Sequence, residues 1–196
     1  MILWRLLPWD ARAAPTEPGG VLWFPRELQG TGRHDNPDRY GCLYVTEAPI
    51  SAVAESLAPF RGTGTLSAAM MTRGGLPLAL AELGLEAGSG DASGVIDRLV
   101  DLDDPRVLVR TQLRPSEIAT GSRSVTQTYA GRLFEEHPQA LGLRWWSTLE
   151  SGLINVTLFD RAAQHLTAID VRPLHLDQCA VRDAAEMLGL ALAPHP

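Results

Sequence analysis

The chain has 196 residues, 45% of them hydrophobic and 20% charged, which suits one globular domain with a substantial core, read here as a single unit over residues 1–196. Its 17 basic and 23 acidic residues leave a net charge of −6, which repels a polyanion and argues against DNA or RNA as a direct ligand, although a local arginine cluster can still hold a small phosphorylated molecule. No segment approaches about eighteen uninterrupted apolar residues, and MILWRLLPWD carries Arg5 and Asp10 where a signal peptide needs its apolar part, so a cytoplasmic protein is expected.

Residues 2–7, ILWRLL, read as a first strand carrying Arg5, followed by the turn-rich PTEPGG and a second short extended piece, VLWFP. After about twenty residues of loop, GCLYVTE at 41–47 reads as an apolar strand. A helix follows, with Pro49 near its start, Ile50, Val53, Ala54 and Leu57 at helical spacing, and Glu55 beside that stripe. LPLALAELGL (76–85) and VIDRLVDL (95–102) read as strands on either side of the loop EAGSGDASG, though the first fits a helix as well. DDPRVLV begins a helix with Pro105 in its first turn. SVTQTYAGRLFEEHP, from Ser124, gives an amphipathic helix with Val125, Tyr129 and Leu133 on one face. LGLRWWS, LINVTLFD and HLTAIDV are β-rich, and a last helix runs from Asp177, a plausible cap, to Gly189. Many short strands with a few helices and no regular alternation predict a mixed α+β fold.

Common cofactor and catalytic signatures are absent. There is no GxGxxG after a strand, no GxxxxGK[ST], no GxSxG around Ser147, and no HxxxH or HExxH among the five histidines. No metal and no bound cofactor are expected. Cys42 and Cys179 have no partner at metal-ligand spacing and are expected as free thiols, with Cys42 acting as a small hydrophobe in its strand.

The remaining candidates lie in GRHDNPDRYGCLYVTEAPISAVAE, residues 32–55. Arg33 follows Thr31 and Gly32, and its planar fork suits a phosphate or carboxylate; the plain alternative is a turn arginine paired with Asp35 or Asp38. Tyr44 faces away from Leu43 and Val45, as a core ring or a stacking platform. Glu55 is either a solvated helix glutamate or a carboxylate aimed along the domain. Ser147, after Trp145 and Trp146, and Asn155 on the next strand are either packing-face polar groups or ligand contacts.

Together GTGRHDNPDRYGCLYVTEAPISAVAES, LRPSEIAT, TQTYAGRLF and WWSTLESGLINVTLF resemble the RES domain family, named for its arginine, glutamate and serine, from Arg5 to Asn155 and Phe159. The resemblance implies a fold like the diphtheria-toxin type of ADP-ribosyltransferase, and an NAD-degrading activity, by hydrolysis or phosphorolysis, in bacterial toxin–antitoxin pairs. NAD is then a substrate, with inorganic phosphate as the optional co-substrate, and the expected partner is an Xre-type helix-turn-helix antitoxin. Pairing of two copies stays open. Transferred residue by residue, Arg5, Arg33, Tyr44, Ser147 and Asn155 bind NAD, and Glu55, with Arg33 and Tyr44, carries the chemistry. Two departures stand out: His34 occupies the place of the family's usual aromatic residue, and DNPDRYG replaces its proline-glycine turn. Transfer of ADP-ribose to a protein and a catalytically silent binding module are the alternatives.

Overall fold

The computed structural model describes residues 1–86 and 94–193, so most of the expected EAGSGDASG loop, as well as His195, lies outside the described residues. In chain order the elements are β1 (Ile2–Pro8), β2 (Cys42–Thr46), α1 (Pro49–Leu57), β3 (Thr65–Leu66), β4 (Thr72–Arg73), β5 (Leu76–Leu85), β6 (Leu99–Asp101), α2 (Pro105–Thr111), α3 (Pro115–Ala119), α4 (Arg123–Glu136), β7 (Gly142–Trp146), β8 (Ile154–Phe159), β9 (Leu166–Pro173), α5 (Cys179–Leu188) and β10 (Ala191–Leu192). The fold is mixed α+β, with parallel and antiparallel pairing. Two compact units divide the chain: Met1, Phe24–Val45 and Leu85–Leu166 form one, and Ile2–Trp23, Thr46–Gly84 and Thr167–Pro196 form the other.

In the first unit the strand order is β2-β8-β7-β6. β7 and β8 are antiparallel, with Leu143 opposite Thr157 and Trp145 opposite Asn155. β6 runs parallel to β7, so the chain must cross over between them, and α2, α3 and α4 make that connection. Asp104 caps α2 by accepting from the Arg106 N–H, with Pro105 just inside the helix as the sequence predicts. Beneath these helices lies a core that includes Tyr40, Leu102, Ile118, Leu133, Leu143 and Phe159. Tyr40, Phe134 and Phe159 form an aromatic cluster with centroids 4.5–5.0 Å apart, and the Arg161 guanidinium covers Phe134 at 3.8 Å.

In the second unit β1 lies antiparallel to β5, from Ile2 opposite Gly84 to Pro8 opposite Leu78, and β4 and β9 both pair with β5. This settles 76–85 as a strand. Its length is matched by a full ladder, which a helix there would forfeit. α1 and α5 pack against each other, with Val53, Ala54 and Leu57 buried on one and Val181, Ala184 and Ala185 on the other. α5 stops at Gly189, whose φ of 69° is open to glycine at no steric cost.

Several expectations are corrected. VLWFP is not a strand. The Leu22 N–H turns back to the Pro15 carbonyl and Trp23 N–H to that of Gly20, while the carbonyls of Val21 and Trp23 accept from the Arg5 guanidinium, so side chain and turn replace a ladder. VIDRLVDL begins as a 3-10 turn at Val95–Arg98, and only Leu99–Asp101 is strand. The cap of α5 is Gln178, one residue beyond Asp177. On α4 the buried face is Thr126, Tyr129, Ala130 and Leu133, whereas Val125 is exposed. Both cysteines are free, Cys42 buried and Cys179 exposed. Among the described residues no helix is long and apolar enough to cross a membrane, and no group of His, Cys, Asp and Glu is arranged to hold a metal ion.

Gly142 tests the β7–β8 ladder, because a Cβ there would run into the Thr157 carbonyl and stand 3.0 Å from the Leu158 Cα. Gly142→Ala is expected to lower stability by about 1–3 kcal/mol in denaturant titration, as the atoms it meets are β8 backbone, which resists the shift. Gly121→Ala, with open space around its Cβ, is expected to leave the midpoint close to wild type.

Candidate active site

The segment 30–36 is built by its own side chains. Asp35 accepts from the Gly30 N–H at 2.8 Å, the Gly32 N–H at 2.7 Å and the Tyr44 hydroxyl at 2.7 Å, and Cys42 Sγ reaches it at 3.3 Å. Burial alone would raise the Asp35 pKa, but these donors outweigh it and hold the carboxyl below its ordinary value. The Tyr44 hydroxyl in turn accepts from the His34 N–H at 2.8 Å, and burial pushes its own pKa up. Tyr44 is thus a neutral phenol tied to the loop. Gly32 is needed for a reason the sequence reading missed: a Cβ there would stand 2.6 Å from the Tyr44 hydroxyl and closer still to the Asp35 carboxylate. The glycine makes room for this latch, whatever access it also gives to Arg33.

α4 clasps the same segment from the other side. Gln127 Nε2 donates to the carbonyls of Gly30 at 3.1 Å and Gly32 at 2.9 Å, Thr126 Oγ1 donates to the Arg33 carbonyl, and the Tyr129 hydroxyl meets His34 Nε2 at 2.8 Å. Tyr40 and Asn36 close the turn on the His34 carbonyl at 2.7 and 3.3 Å.

Arg33 is not the surface turn residue of the plain alternative. It is 8% exposed, and its Nη1 donates to the carbonyls of Ile118 at 2.8 Å and Thr120 at 2.9 Å. The guanidinium carbon lies 4.9 Å from the centre of the Trp145 ring, and the Arg33 charge opposes the burial that raises the Tyr129 pKa. Trp145 faces Asn155 across the β7–β8 pair, which places Asn155, buried, on the strand face that Arg33 covers. Ser147 is buried as well and accepts from the Leu149 N–H at 3.0 Å in the turn after β7, while its own N–H extends the pairing to the Leu153 carbonyl. Arg33, Tyr44, Ser147 and Asn155 therefore belong to one unit, and Arg33 and Tyr44 to one hydrogen-bonded loop.

The other two candidates belong to the second unit. Arg5, midway along β1, donates to the carbonyls of Val21 and Trp23 and so pins the connection that follows its strand. Burial lowers its pKa to about 10, which leaves it charged at neutral pH. Glu55 is partly buried on α1, between fully buried Ala54 and Leu57.

His34 is the residue that the sequence reading treated only as a departure. It is fully buried, its Nδ1 lies 2.8 Å from Thr157 Oγ1, and its ring meets Trp145 edge-on at 5.2 Å. Thr157 also accepts from the Trp145 indole N–H at 3.1 Å. Burial first, and then the positive charge of Arg33, drive the His34 pKa well below its ordinary value against the opposing pull of Asp35, so the ring is neutral. The signal for this cluster lay in TQTYAG, where Thr126, Tyr129 and Ala130 follow the i, i+3, i+4 pattern of a buried helix face.

The RES domain model matches residues 2–177. The chain belongs to the RES domain family. No curated protein matches it. Among solved structures it is similar to a chain of the M. tuberculosis MbcT–MbcA toxin–antitoxin complex, with a TM-score of 0.58 and 14% identity over 95% of this chain and 88% of that one. At that identity the likeness speaks for the fold alone. The His34 ring packs against Trp145 and Tyr129.

Two outcomes test this geometry. Gly32→Ala is expected to cost about 1–3 kcal/mol of stability, read by denaturant midpoint, because the Asp35 and Tyr44 latch has to open. For His34 the folded pKa is depressed, so below about pH 6.5 the unfolded chain binds a proton that the native ring refuses. Native stability is therefore expected to fall as pH drops, with a contribution approaching about 1.4 kcal/mol per pH unit, and His34→Gln is expected to remove that share of the slope. Parallel slopes for the two proteins between about pH 7 and 5 would show that His34 titrates alike in both states.

Proposed function

We propose that this RES domain protein degrades NAD by cleaving the bond between nicotinamide and ribose, and that it is the toxin of a toxin–antitoxin pair with an Xre-type helix-turn-helix partner. The observation that carries the reading is the family match, which spans every motif residue from Arg5 to Asn155. The fold shared with a chain of the MbcT–MbcA toxin–antitoxin complex supports it, and the reading brings with it an ADP-ribosyltransferase type of fold.

Nicotinamide leaves as a neutral ring, so little acid catalysis is needed. The barrier lies in the positive charge that develops on the ribose. In this reading Glu55 supplies the carboxylate that stabilises the oxocarbenium ion, and one preorganised group of this kind is worth roughly a hundred- to a thousand-fold in rate. Arg33 and Arg5 hold the pyrophosphate. In this reading Arg33 brings a planar fork oriented by the Ile118 and Thr120 carbonyls beside the Trp145 ring. Tyr44 offers a ring face to nicotinamide, since its hydroxyl is fixed to Asp35, and Ser147 and Asn155 hydrogen-bond ribose or phosphate. Water as nucleophile gives ADP-ribose plus a proton; inorganic phosphate gives ADP-ribose phosphorylated at the same carbon.

The test is incubation of the purified protein with NAD, in the presence and absence of phosphate, following free nicotinamide and the ADP-ribose product by mass. Glu55→Gln is expected to lower nicotinamide release by about a hundredfold or more while the fold is retained, and Arg33→Ala to raise KM together with a loss of kcat. Release at the wild-type rate by Glu55→Gln would remove that carboxylate from the chemistry. ADP-ribose found on protein would move the assignment to transfer, and no nicotinamide from the wild type would leave a binding module.

A further inference from the structure

One buried carboxylate of the first unit is filled to capacity. Asp35 Oδ2 accepts the Gly30 and Gly32 N–H groups at 2.8 and 2.7 Å, and Oδ1 accepts the Tyr44 hydroxyl at 2.7 Å and the Cys42 thiol at 3.3 Å. An ionised carboxylate offers about four lone-pair sites and carries no hydrogen, so these donors satisfy it and no proton is left over. The Tyr44 oxygen, whose own hydrogen points at Asp35, accepts the His34 N–H at 2.8 Å. The two carboxylate oxygens serve different parts of the chain. Oδ2 holds the loop, and Oδ1 holds β2, where the two-residue period of a strand sets Cys42 and Tyr44 on one face. The loop needs such a fixture, because Gly30, at a φ of 139°, and Gly32 both precede Arg33 and glycine has little backbone preference of its own. Asp35 takes the N–H of each and Gln127 Nε2 donates to the carbonyl of each, so both glycines are held from two sides. The Tyr44 ring packs against the core but stays partly exposed, and the bond at its hydroxyl pins the far end of the side chain to one rotamer.

We propose that Asp35 is the positioning residue of Tyr44 and of the loop that carries Arg33: Oδ1 fixes the Tyr44 ring in one rotamer, and Oδ2 fixes the loop against the same strand. The ligand that these two residues meet is taken from the NAD reading above, while the geometry rests on hydrogen bonds alone. Asparagine has the same shape but not the same capacity. Its amide accepts at one atom and donates at the other, so in either orientation the NH2 group meets a pair of donors, the two glycine N–H groups or Tyr44 with Cys42. The glycine N–H groups are fixed by the backbone, whereas the tyrosine hydrogen turns freely about its C–O bond. Asp35→Asn is therefore expected to keep the loop and release Tyr44, and Asp35→Ala to give up both.

The chain has only three tyrosines, which makes the release of one visible. In the full chain labelled with 13C at tyrosine Cζ, Asp35→Asn is expected to move the Tyr44 resonance and to leave in place those of Tyr40 and Tyr129, whose hydroxyls bond His34. The Gly30 and Gly32 amides are expected to be protected from deuterium exchange in the wild type and in Asp35→Asn, and to lose that protection in Asp35→Ala. An unmoved Tyr44 resonance in Asp35→Asn, or wild-type glycine amides that exchange as fast as those of an open loop, overturns the proposal without reference to NAD. In kinetics, Asp35→Asn and Tyr44→Phe are each expected to raise KM for NAD by roughly tenfold with a smaller change in kcat, and the double variant to match the more damaging single one, because both cut the same bond. A wild-type KM in Asp35→Asn, or multiplying effects in the double variant, overturns the positioning role. If Asp35→Asn does not fold, the wild-type amide exchange and Tyr44→Phe still decide the matter, and a wild-type KM in Tyr44→Phe overturns the proposal. If the wild type releases no nicotinamide while the resonance and exchange results hold, the function proposal fails and the positioning of Tyr44 and its loop by Asp35 stands.

Discussion

Burying an arginine is the constraint that shapes this unit. A guanidinium cannot shed its proton at physiological pH, and moved out of water it is strongly destabilising unless acceptors and ring faces replace the lost hydration. For Arg33 they are supplied by the Ile118 and Thr120 carbonyls at the end of α3 and the Trp145 ring on β7. Two elements distant from Arg33 in sequence are thereby committed to one point. The crossover of α2, α3 and α4 has to pass close enough to the β7–β8 face to deliver the two carbonyls, and His34 fills the buried space beside them with hydrogen bonds at both nitrogens, to Thr157 and to Tyr129.

This explains the composition of α4. A helix over a core normally buries an apolar stripe. The α4 stripe starts with Thr126 and Tyr129, and its neighbour Gln127 also turns to protein, because the segment it covers presents carbonyls rather than methyl groups. Further along, where the segment no longer lies beneath it, the same face becomes Ala130 and Leu133 and joins the aliphatic core. One helix thus does two jobs in succession along a single stripe.

The regular elements were legible where period and punctuation agree. Proline near the start and a glycine or acidic cap located α1, α2 and α5 to within a residue or two, and ILWRLL and the β-rich runs LGLRWWS and LINVTLFD form β1, β7 and β8 as expected. Errors arose where side chains take over backbone hydrogen bonding. VLWFP has the composition of a strand, but Arg5 and local turns take its carbonyls, and no window of sequence reveals that a guanidinium eighteen residues earlier will do so. Val125 looked like the first rung of the buried face because apolarity was weighed above position, and the polar Thr126 holds that place. For the site, the residue types in Gly32, Arg33, Tyr44 and Asn155 were visible in the motif, whereas the function of each in the structure depends on Asp35, His34 and Thr157, whose importance comes from tertiary hydrogen bonds alone.

Segment 30–36 holds its own carboxylate through donors of the same loop and of β2. Asp35 is two residues from Arg33, near enough to form the turn pair that sequence alone suggests. Two backbone N–H groups, a phenol and a thiol hold it instead, and its low pKa reflects those donors. The carboxylate is thus stabilised by dipoles of its own loop and of β2, while the Arg33 guanidinium donates to the Ile118 and Thr120 carbonyls beside the Trp145 ring. Because these contacts are largely dry and short, added salt screens them less than it would a surface pair. Any anion that reaches this guanidinium then meets a charge whose direction was fixed when the chain folded.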